Sequence, residues 1–206
     1  MGQFLNSKEP YDRYKTVQRG LYFVDKSEIL SELIPALQQE QRFFCITRPR
    51  RFGKTVMANM IAAFFEKTEE PSLFDDLRIA SDEQYRAQAG AHDVIYIDFS
   101  EMPRECSSYQ EYIARIQNGL IRDIKDAYPD LDIEPNSAVW DIMSMIFNCT
   151  GHKFIFVMDE WDAVFHMSFV SENDRKNYLL FLKLLLKGQS YVELAYMTGV
   201  LPIAKY

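Results

Sequence analysis

Residues 43–65 read FFCITRPRRFGKTVMANMIAAFF, in which an apolar run is followed by a basic loop and a second apolar segment. Residues 43–47 have the length and composition of a strand that is buried on both faces of a parallel sheet. Pro49 and Gly53 mark the basic stretch as a loop. From Lys54 onward, apolar residues recur at the spacing of an amphipathic helix. The segment therefore predicts a strand, a loop and a helix in direct succession.

The loop ends in Gly53-Lys54-Thr55, the second half of the phosphate-binding pattern G-x-x-x-x-G-K-[ST]. Gly53 lets successive backbone amides turn toward a phosphate, and the N-terminus of the following helix adds partial positive charge. Lys54 can reach the β- and γ-phosphates of a nucleotide, and the Thr55 hydroxyl can coordinate Mg²⁺. Arg48 stands at the position of the first glycine of the pattern, so only the second half of the pattern matches. The tripeptide indicates a phosphate-binding loop because it lies between a predicted strand and a predicted helix.

An acidic pair, Asp159-Glu160, directly follows the clearest predicted strand, residues 154–158. The C-terminal ends of parallel strands form the ligand-binding edge of such a sheet. Next to the Lys54 loop, Asp159 would hold Mg²⁺ through water, and Glu160 would polarise the attacking water. A solvated loop or a helix cap would explain the pair if it stood alone. In combination with the Gly-Lys-Thr loop, the pair predicts a nucleotide site.

Three further polar residues follow predicted strands or the acidic pair. Thr198, after the strand 192–197, could hydrogen-bond the γ-phosphate or the attacking water, or be an ordinary strand-end threonine. Asp98, after the strand 94–97, could contact metal or water, or cap a loop. Asp162 could position the nearby glutamate or pair with an arginine.

Arg48, Arg50 and Arg51 crowd the loop, where they could attract phosphate or pair with carboxylates such as Asp98 and Asp162. The candidate nucleotide-binding residues are Arg48, Pro49, Arg50, Arg51, Phe52, Gly53, Lys54, Thr55 and Val56. The candidate catalytic residues are Lys54, Glu160 and Thr198, and the candidate metal ligands are Thr55 and Asp159.

Strands that alternate with helices predict a mostly parallel α/β sheet covered on both faces, the three-layer arrangement of a P-loop NTPase. In the ATPase division of these proteins, the ASCE type, an extra strand separates the two motif strands and a glutamate follows the aspartate. Along this chain the strand 94–97 lies between the two motifs, and Glu160 follows Asp159. No Asn-Lys-x-Asp guanine-reading motif occurs, so ATP is preferred over GTP.

Two helices outside the loop have clear N-terminal signals. Asp25 with Glu28 predicts a capped helix start, as does Ser171 with Asp174. The second of these helices is apolar nearly all round over residues 179–186, which predicts that it is well buried.

The composition of the chain limits the class of protein, the binding partners and the compartment that can be expected. With 206 residues and a net charge of −7, the chain is a globular sequence without a general basic surface, so nucleic-acid binding is not supported. Three dispersed cysteines, Cys45, Cys106 and Cys149, predict free thiols in a reducing cytoplasm, with Cys45 in the core. No signal peptide is visible, and no run approaches the roughly 18 apolar residues of a membrane span.

Over residues 20–206 the chain resembles the AAA-ATPase-like proteins of bacteria. The matching motifs are YFVDKS at 22–27, TRPRRFGKT at 47–55, SLF at 72–74, DFS at 98–100 and TGV at 198–200. In that family a basic run ending in Gly-Lys-Ser/Thr replaces the strict Walker A sequence, so Arg48 is a family trait. The resemblance implies an ASCE-type core that binds ATP and Mg²⁺. It also implies that full-length members carry a C-terminal PD-(D/E)xK nuclease-like domain, which we expect to lie outside these residues.

The sequence thus predicts an ATP-binding module whose Mg²⁺-dependent hydrolysis is coupled to an unidentified partner or effector domain. The alternatives are a nucleotide-dependent switch with little turnover and a small-molecule kinase. We expect residues 1–40 to form an N-terminal extension and helix, and residues 41–206 to form the ATPase-like core. We also expect the core to be truncated after its fourth strand, at Lys205-Tyr206, and the isolated chain to hydrolyse ATP slowly. The sequence leaves the oligomeric state open.

Overall fold

The computed structural model describes residues 2–68, 71–102, 106–134 and 136–201. Four parallel strands form one sheet in the order β1-β4-β3-β2. The strands are β1 (Phe43–Thr47), β2 (Asp93–Asp98), β3 (Phe154–Asp159) and β4 (Val192–Gly199). The α-helices are α1 (Lys8–Gln18), α2 (Ile29–Leu33), α3 (Lys54–Phe65), α4 (Tyr85–Gln88), α5 (Tyr109–Ala127), α6 (Val139–Thr150) and α7 (Glu172–Leu186). The predicted α/β class with a parallel sheet is confirmed, whereas the predicted break at Lys205-Tyr206 lies outside the described residues.

Alternating residues of the strands supply two hydrophobic cores, one on each face of the sheet. On one face, side chains of β2, β3 and β4 such as Tyr96 and Val157 pack against α1, α2 and α3. On the other face, neighbours such as Ile97 and Met158 pack against α5, α6 and α7. The helix–sheet–helix layering that the sequence predicts is therefore present.

Strand β1 lies at an edge of the sheet, where it pairs with β4. Phe44 and Ile46 pack on the α3 side, while Phe43 and Cys45 are exposed on the opposite face. The prediction that β1 is buried on both faces, with Cys45 in the core, is wrong. The reason is that α7 leaves this face open to an apolar groove of about 730 Å³, which a run of apolar letters cannot reveal.

The strand that separates the two motif strands in the sheet is β4. It pairs with β1 on one side and with β3 on the other, while β2 forms the far edge. The expectation that the strand 94–97 lies between the two motif strands, which followed from the order of the strands along the chain, is therefore wrong. The actual order brings Thr198, near the end of β4, between the Lys54 loop and Asp159.

Helix α7 begins as predicted, because Ser171 and Asp174 form a complete capping box. The Asp174 backbone N–H donates to Ser171 Oγ at 3.2 Å, and the Ser171 N–H donates to Asp174 Oδ2 at 3.0 Å. The prediction of burial all round is wrong, since Leu180 is 50% exposed and Leu184 is 36% exposed. Only one side of α7 packs on the sheet, and the other side faces solvent.

The predicted cap before α2 is replaced by a long-range contact. Asp25 accepts the N–H of Ser27 at 2.8 Å and the N–H of Arg78 at 2.7 Å, and Glu28 makes no capping bond. Glu28 instead pairs with the Arg78 guanidinium at 3.1 Å. This segment is thus tied to residues 78–81, a partner that the local sequence does not indicate.

Helix α5 is the longest of the described helices, with 19 residues. The Ser108 side chain caps its N-terminus by accepting the Glu111 N–H at 3.2 Å. One face, which includes Ile116 and Leu120, is buried, and the other carries charged residues. Among the described residues, no helix has both the length and the apolar composition that a membrane crossing requires.

Candidate functional site

The loop between β1 and α3 is held at its start and turns sharply at its end. The Arg48 N–H donates to the Gly199 carbonyl at 3.1 Å, which ties the loop to β4. Arg51 and Gly53 both adopt the left-handed region, with φ of 68° and 76°. A Cβ on Gly53 would meet no atom within 4 Å, so the position favours glycine for its backbone angle rather than for space. Helix α3 then begins at Lys54 with its N-terminus facing the loop.

Lys54 joins the two predicted motifs. Its side chain is buried, and Nζ donates to the Pro49 carbonyl at 3.3 Å. Nζ also lies 3.4 Å from Glu160 Oε1, in an ion pair between the loop and the residue after β3. Glu160 itself adopts a left-handed backbone, with φ of 50°. A non-glycine residue in that region stores strain of about 1–3 kcal/mol, a feature that clusters at functional sites.

Asp159 and Thr198 form the buried centre of the site. Both are completely buried, and Thr198 Oγ1 donates to Asp159 Oδ1 while accepting the Glu160 N–H at 3.3 Å. The second carboxylate oxygen, Asp159 Oδ2, is buried without a hydrogen-bond partner among the described residues. Such an atom is costly to leave unpaired. A cation would satisfy it.

Burial raises the pKa of Asp159 above its ordinary value of 3.8, an effect that the Thr198 and Thr55 side chains partly oppose. The negative charges of Asp98 and Glu160 raise it further. The pKa is raised because the Asp159 carboxylate lies away from water and beside two other carboxylates. A bound cation would favour the ionised carboxylate and so lower the pKa.

The oxygen donors in this place suit Mg²⁺. The Thr55 hydroxyl and the Asp159 carboxylate are hard oxygen ligands, as that ion prefers. Among the described residues, no group of three or more His, Cys, Asp and Glu side chains could hold a metal ion. The cation would therefore take its other ligands from phosphate groups and water.

We expect Asp159→Asn to raise the melting temperature of the metal-free protein at pH 7. A folded-state pKa above the unfolded value means that ionised Asp159 opposes folding, and this penalty grows as the pH rises through the folded pKa. The gain should therefore shrink as the pH falls toward 3.8, which thermal unfolding over a pH series would measure.

Asp162→Ala provides the contrast. Oδ2 of that carboxylate accepts the N–H groups of Val200 and Leu201, at 2.9 and 2.7 Å, so removal of this acceptor should lower the melting temperature. A lower melting temperature for Asp159→Asn at pH 7 would contradict the assignment of Asp159 as an unsatisfied buried carboxylate.

The two bonds of Asp162 differ from both of its predicted roles. Within the described residues it forms no hydrogen bond to Glu160 and no ion pair with an arginine, and its Oδ2 instead fixes the chain as it leaves β4. The sequence gives no sign of this role, because it depends on backbone groups almost 40 residues away. Asp98 accepts the N–H and hydroxyl of Ser100, at 2.8 and 2.6 Å, which is the loop-capping alternative.

Gly199 is required by the close approach of the segment after β3. A Cβ at this position would lie 2.5 Å from Trp161 Nε1 and 2.8 Å from Asp162 Oδ1, both in buried side chains. We expect Gly199→Ala to lower the free energy of unfolding by about 3 kcal/mol, as overpacking does. Denaturant unfolding would measure the loss.

The matched control is Gly151→Ala. Gly151 has a φ of 73° but open space around its Cβ, so the cost there is left-handed strain of about 1 kcal/mol. Equal losses at the two positions would contradict the steric role of Gly199.

The loop arginines Arg48, Arg50 and Arg51 are exposed. Within the described part of the chain, their guanidinium groups make no ion pair with Asp98 or Asp162, so that predicted alternative is not observed. Arg50 lines a polar cavity of about 300 Å³ together with Thr55 and Glu160. This cavity brings together residues of the loop, of α3 and of the turn after β3.

None of the curated proteins and none of the solved structures compared with it matches the chain. The family model described as "Predicted AAA-ATPase" matches residues 12–206, which contain the whole of the site. The chain therefore belongs to the AAA-ATPase-like family.

Proposed function

We propose that the protein binds ATP with Mg²⁺ at the loop 48–55 and hydrolyses it, in service of a partner or effector domain outside these residues. The observation that carries the proposal is that Glu160, which lines the polar cavity together with Thr55, is joined to Lys54 by an ion pair and to Thr198 by a hydrogen bond. Thr198 in turn donates to Asp159, so the five residues form one connected cluster. A cation, two hydroxyls and two carboxylates at a helix N-terminus are suited to phosphoryl chemistry.

Each residue has a distinct task in this proposal. The loop amides and Lys54 bind the phosphates, and Arg50 adds positive charge at the cavity. Thr55 and Asp159 hold the metal, which when bound neutralises charge that develops on the phosphate oxygens. Glu160 orients and polarises the attacking water, and Thr198 keeps Asp159 and Glu160 in position. Most of the catalysis is then positioning and electrostatics.

A second candidate, a nucleotide-dependent switch with little turnover, is favoured by the ion pair between Lys54 and Glu160. This contact of 3.4 Å engages both the phosphate-binding cation and the water-orienting carboxylate. ATP would have to separate them, and that separation could itself signal to a partner without hydrolysis.

One assay distinguishes these functions. Purified protein is incubated with radiolabelled ATP and Mg²⁺, and bound nucleotide, free phosphate and labelled small-molecule acceptors are measured, with EDTA as the control. Hydrolysis predicts Mg²⁺-dependent phosphate release, and a switch predicts binding without release. Label on an added acceptor would identify a small-molecule kinase instead, and absence of binding would refute all three.

A further inference from the structure

The polar cavity beside the phosphate loop has a wall that the proposed roles leave unused. Arg50 of the loop, Thr55 of α3 and Glu160 after β3 line the cavity, and Ser100 lines it from the turn after β2. Among the described lining residues, Thr55 and Ser100 are the two that carry a hydroxyl. Ser100 is exposed, so its hydroxyl is open to solvent and to whatever enters the cavity.

The turn that carries Ser100 is fixed to the end of β3. Asp98 is the register partner of Asp159, and the Phe99 N–H donates to the Asp159 carbonyl at 3.0 Å. The Phe99 side chain is completely buried, and its carbonyl accepts the Tyr112 hydroxyl at 2.8 Å. Because the residue before Ser100 is bonded through both its N–H and its carbonyl, Ser100 is held in place at the cavity.

The hydrogen bond between Ser100 and Asp98 leaves the serine oxygen as an acceptor toward the cavity. Ser100 Oγ donates to Asp98 Oδ1 at 2.6 Å, and the Ser100 N–H donates to the same oxygen at 2.8 Å. An ionised carboxylate can only accept, so the serine hydroxyl spends its single proton on this bond. Both of its lone pairs stay available for another donor, since no described residue donates to Ser100 Oγ.

A water that attacks phosphorus has two protons, and two acceptors are needed to direct its lone pair at the phosphate. Glu160 is one acceptor in the proposed hydrolysis. We propose that Ser100 Oγ is the other, so that Glu160 and Ser100 together orient the attacking water. This inference rests on the proposed ATP hydrolysis, and it gives the Asp98–Ser100 turn a task beyond closing a loop.

The step balances with these two acceptors. The water oxygen bonds to the γ-phosphorus while the bond from that phosphorus to the ADP oxygen breaks. Glu160 takes one water proton as the general base. The other proton, held by Ser100, stays on the oxygen and leaves with inorganic phosphate.

Thr198, the other hydroxyl next to Glu160, is not available for this water. It is completely buried, donates its proton to Asp159 Oδ1 and accepts the Glu160 N–H at 3.3 Å. It is also not one of the described residues that line the cavity. The sequence suggests Thr198 for a bond to the attacking water, but the geometry favours Ser100.

The test uses Ser100→Ala, which removes the acceptor, and Ser100→Thr, which keeps it. Ser107→Ala is the matched control. Ser107 also donates its N–H and its hydroxyl to one carboxylate, that of Glu111, at 2.9 and 3.0 Å, but it does not line the cavity. This control therefore removes an equivalent hydroxyl from a turn away from the site.

Phosphate release gives the turnover number, and calorimetry with Mg²⁺ gives the affinities for ADP and for ADP with tetrafluoroaluminate. The aluminium complex resembles the transition state, so it reports on the oriented water without turnover. Ser100→Ala should lower both the turnover number and the affinity for this complex by about 3- to 10-fold, the value of one neutral hydrogen bond. Its affinity for ADP alone should stay unchanged, because ADP has no γ-phosphate for the water to attack.

Ser100→Thr should restore the turnover number and the affinity for the aluminium complex, and Ser107→Ala should match wild type in every measurement. Wild-type values in Ser100→Ala, equal losses in the Ser100 and Ser107 variants, or an equal loss of ADP affinity in Ser100→Ala would overturn the inference alone. Wild type that binds ATP but prefers the aluminium complex no more than ADP would also overturn it and leave the switch standing. Failure of wild type to bind ATP would overturn the proposed function and this inference together.

Discussion

Lys54→Ala is expected to weaken ATP binding by about 10- to 150-fold, the value of a charge-assisted hydrogen bond to phosphate. Hydrolysis should fall further, by about 100-fold or more, because the same cation stabilises charge in the transition state. The lysine is already buried and directed across the loop, with Nζ near Pro49 and Glu160, so its position needs little rearrangement. Calorimetry for affinity and phosphate release for turnover would measure both effects.

Lys67→Ala is the matched control for this substitution. Lys67 follows the C-terminal end of α3 and also forms an ion pair, with 2.7 Å between its Nζ and Asp93 Oδ2. Asp93 is the first residue of β2, so this ion pair lies at the opposite end of the strands from the Lys54 loop. Its removal should leave ATP affinity and turnover unchanged. Equal losses in the Lys54 and Lys67 variants would point to a general loss of folding and contradict a phosphate-binding role for Lys54.

Glu160→Gln is expected to lower the turnover number by about 100- to 10,000-fold, the usual contribution of a general base. ATP affinity should be kept or raised, because the substitution removes the carboxylate that engages Lys54 at 3.4 Å and competes with phosphate for it. The Glu160 backbone, held by its N–H bond to Thr198, should not move. Slow hydrolysis with tight binding is therefore the signature of this variant.

Glu193→Gln serves as its control, since Glu193 is buried to a similar extent and is also paired, with His92 at 2.9 Å. It lies near the start of β4, at the opposite end of the strand from Thr198 and the site, so catalysis should be unaffected. A turnover number in Glu160→Gln equal to that of wild type would exclude Glu160 as the general base. If wild type itself also releases little phosphate, the result would favour the nucleotide-dependent switch.

The strand–loop–helix at residues 43–65 was predictable because its signals are local. Apolar letters, Pro49, Gly53 and the helical spacing after Lys54 all lie within two dozen positions. The same holds for the capping box at Ser171 and for the apolar strand before Asp159. Local propensity and turn chemistry agree with the fold at these places.

The order of the strands was less accessible to sequence. The insertion of β4 between β1 and β3 joins residues about 40 and 150 positions apart, and no local pattern encodes such pairings. This order also decides that β1 is an edge strand with Cys45 exposed. An apolar pentapeptide looks the same at the centre and at the edge of a parallel sheet.

The residue types of the candidate site were predictable from the sequence, but the contacts between these residues were not. The residue types at Lys54, Asp159 and Glu160 predicted a phosphate and metal site, but not the ion pair that closes it. The bonds of Asp162 and Asp25 to distant backbone N–H groups were equally hidden. Any carboxylate can accept such bonds, so only the fold determines which one does.

The most direct test of the central claim is a crystal structure of the protein with Mg²⁺ and an ATP analogue that cannot be hydrolysed. We expect triphosphate density along residues 49–55 and a metal ion between Thr55 and Asp159. We also expect Lys54 to contact the phosphates instead of Glu160, so that the distance from Lys54 Nζ to Glu160 Oε1 exceeds 3.4 Å. Nucleotide bound away from this loop, or a saturated crystal in which Lys54 still contacts Glu160, would contradict it.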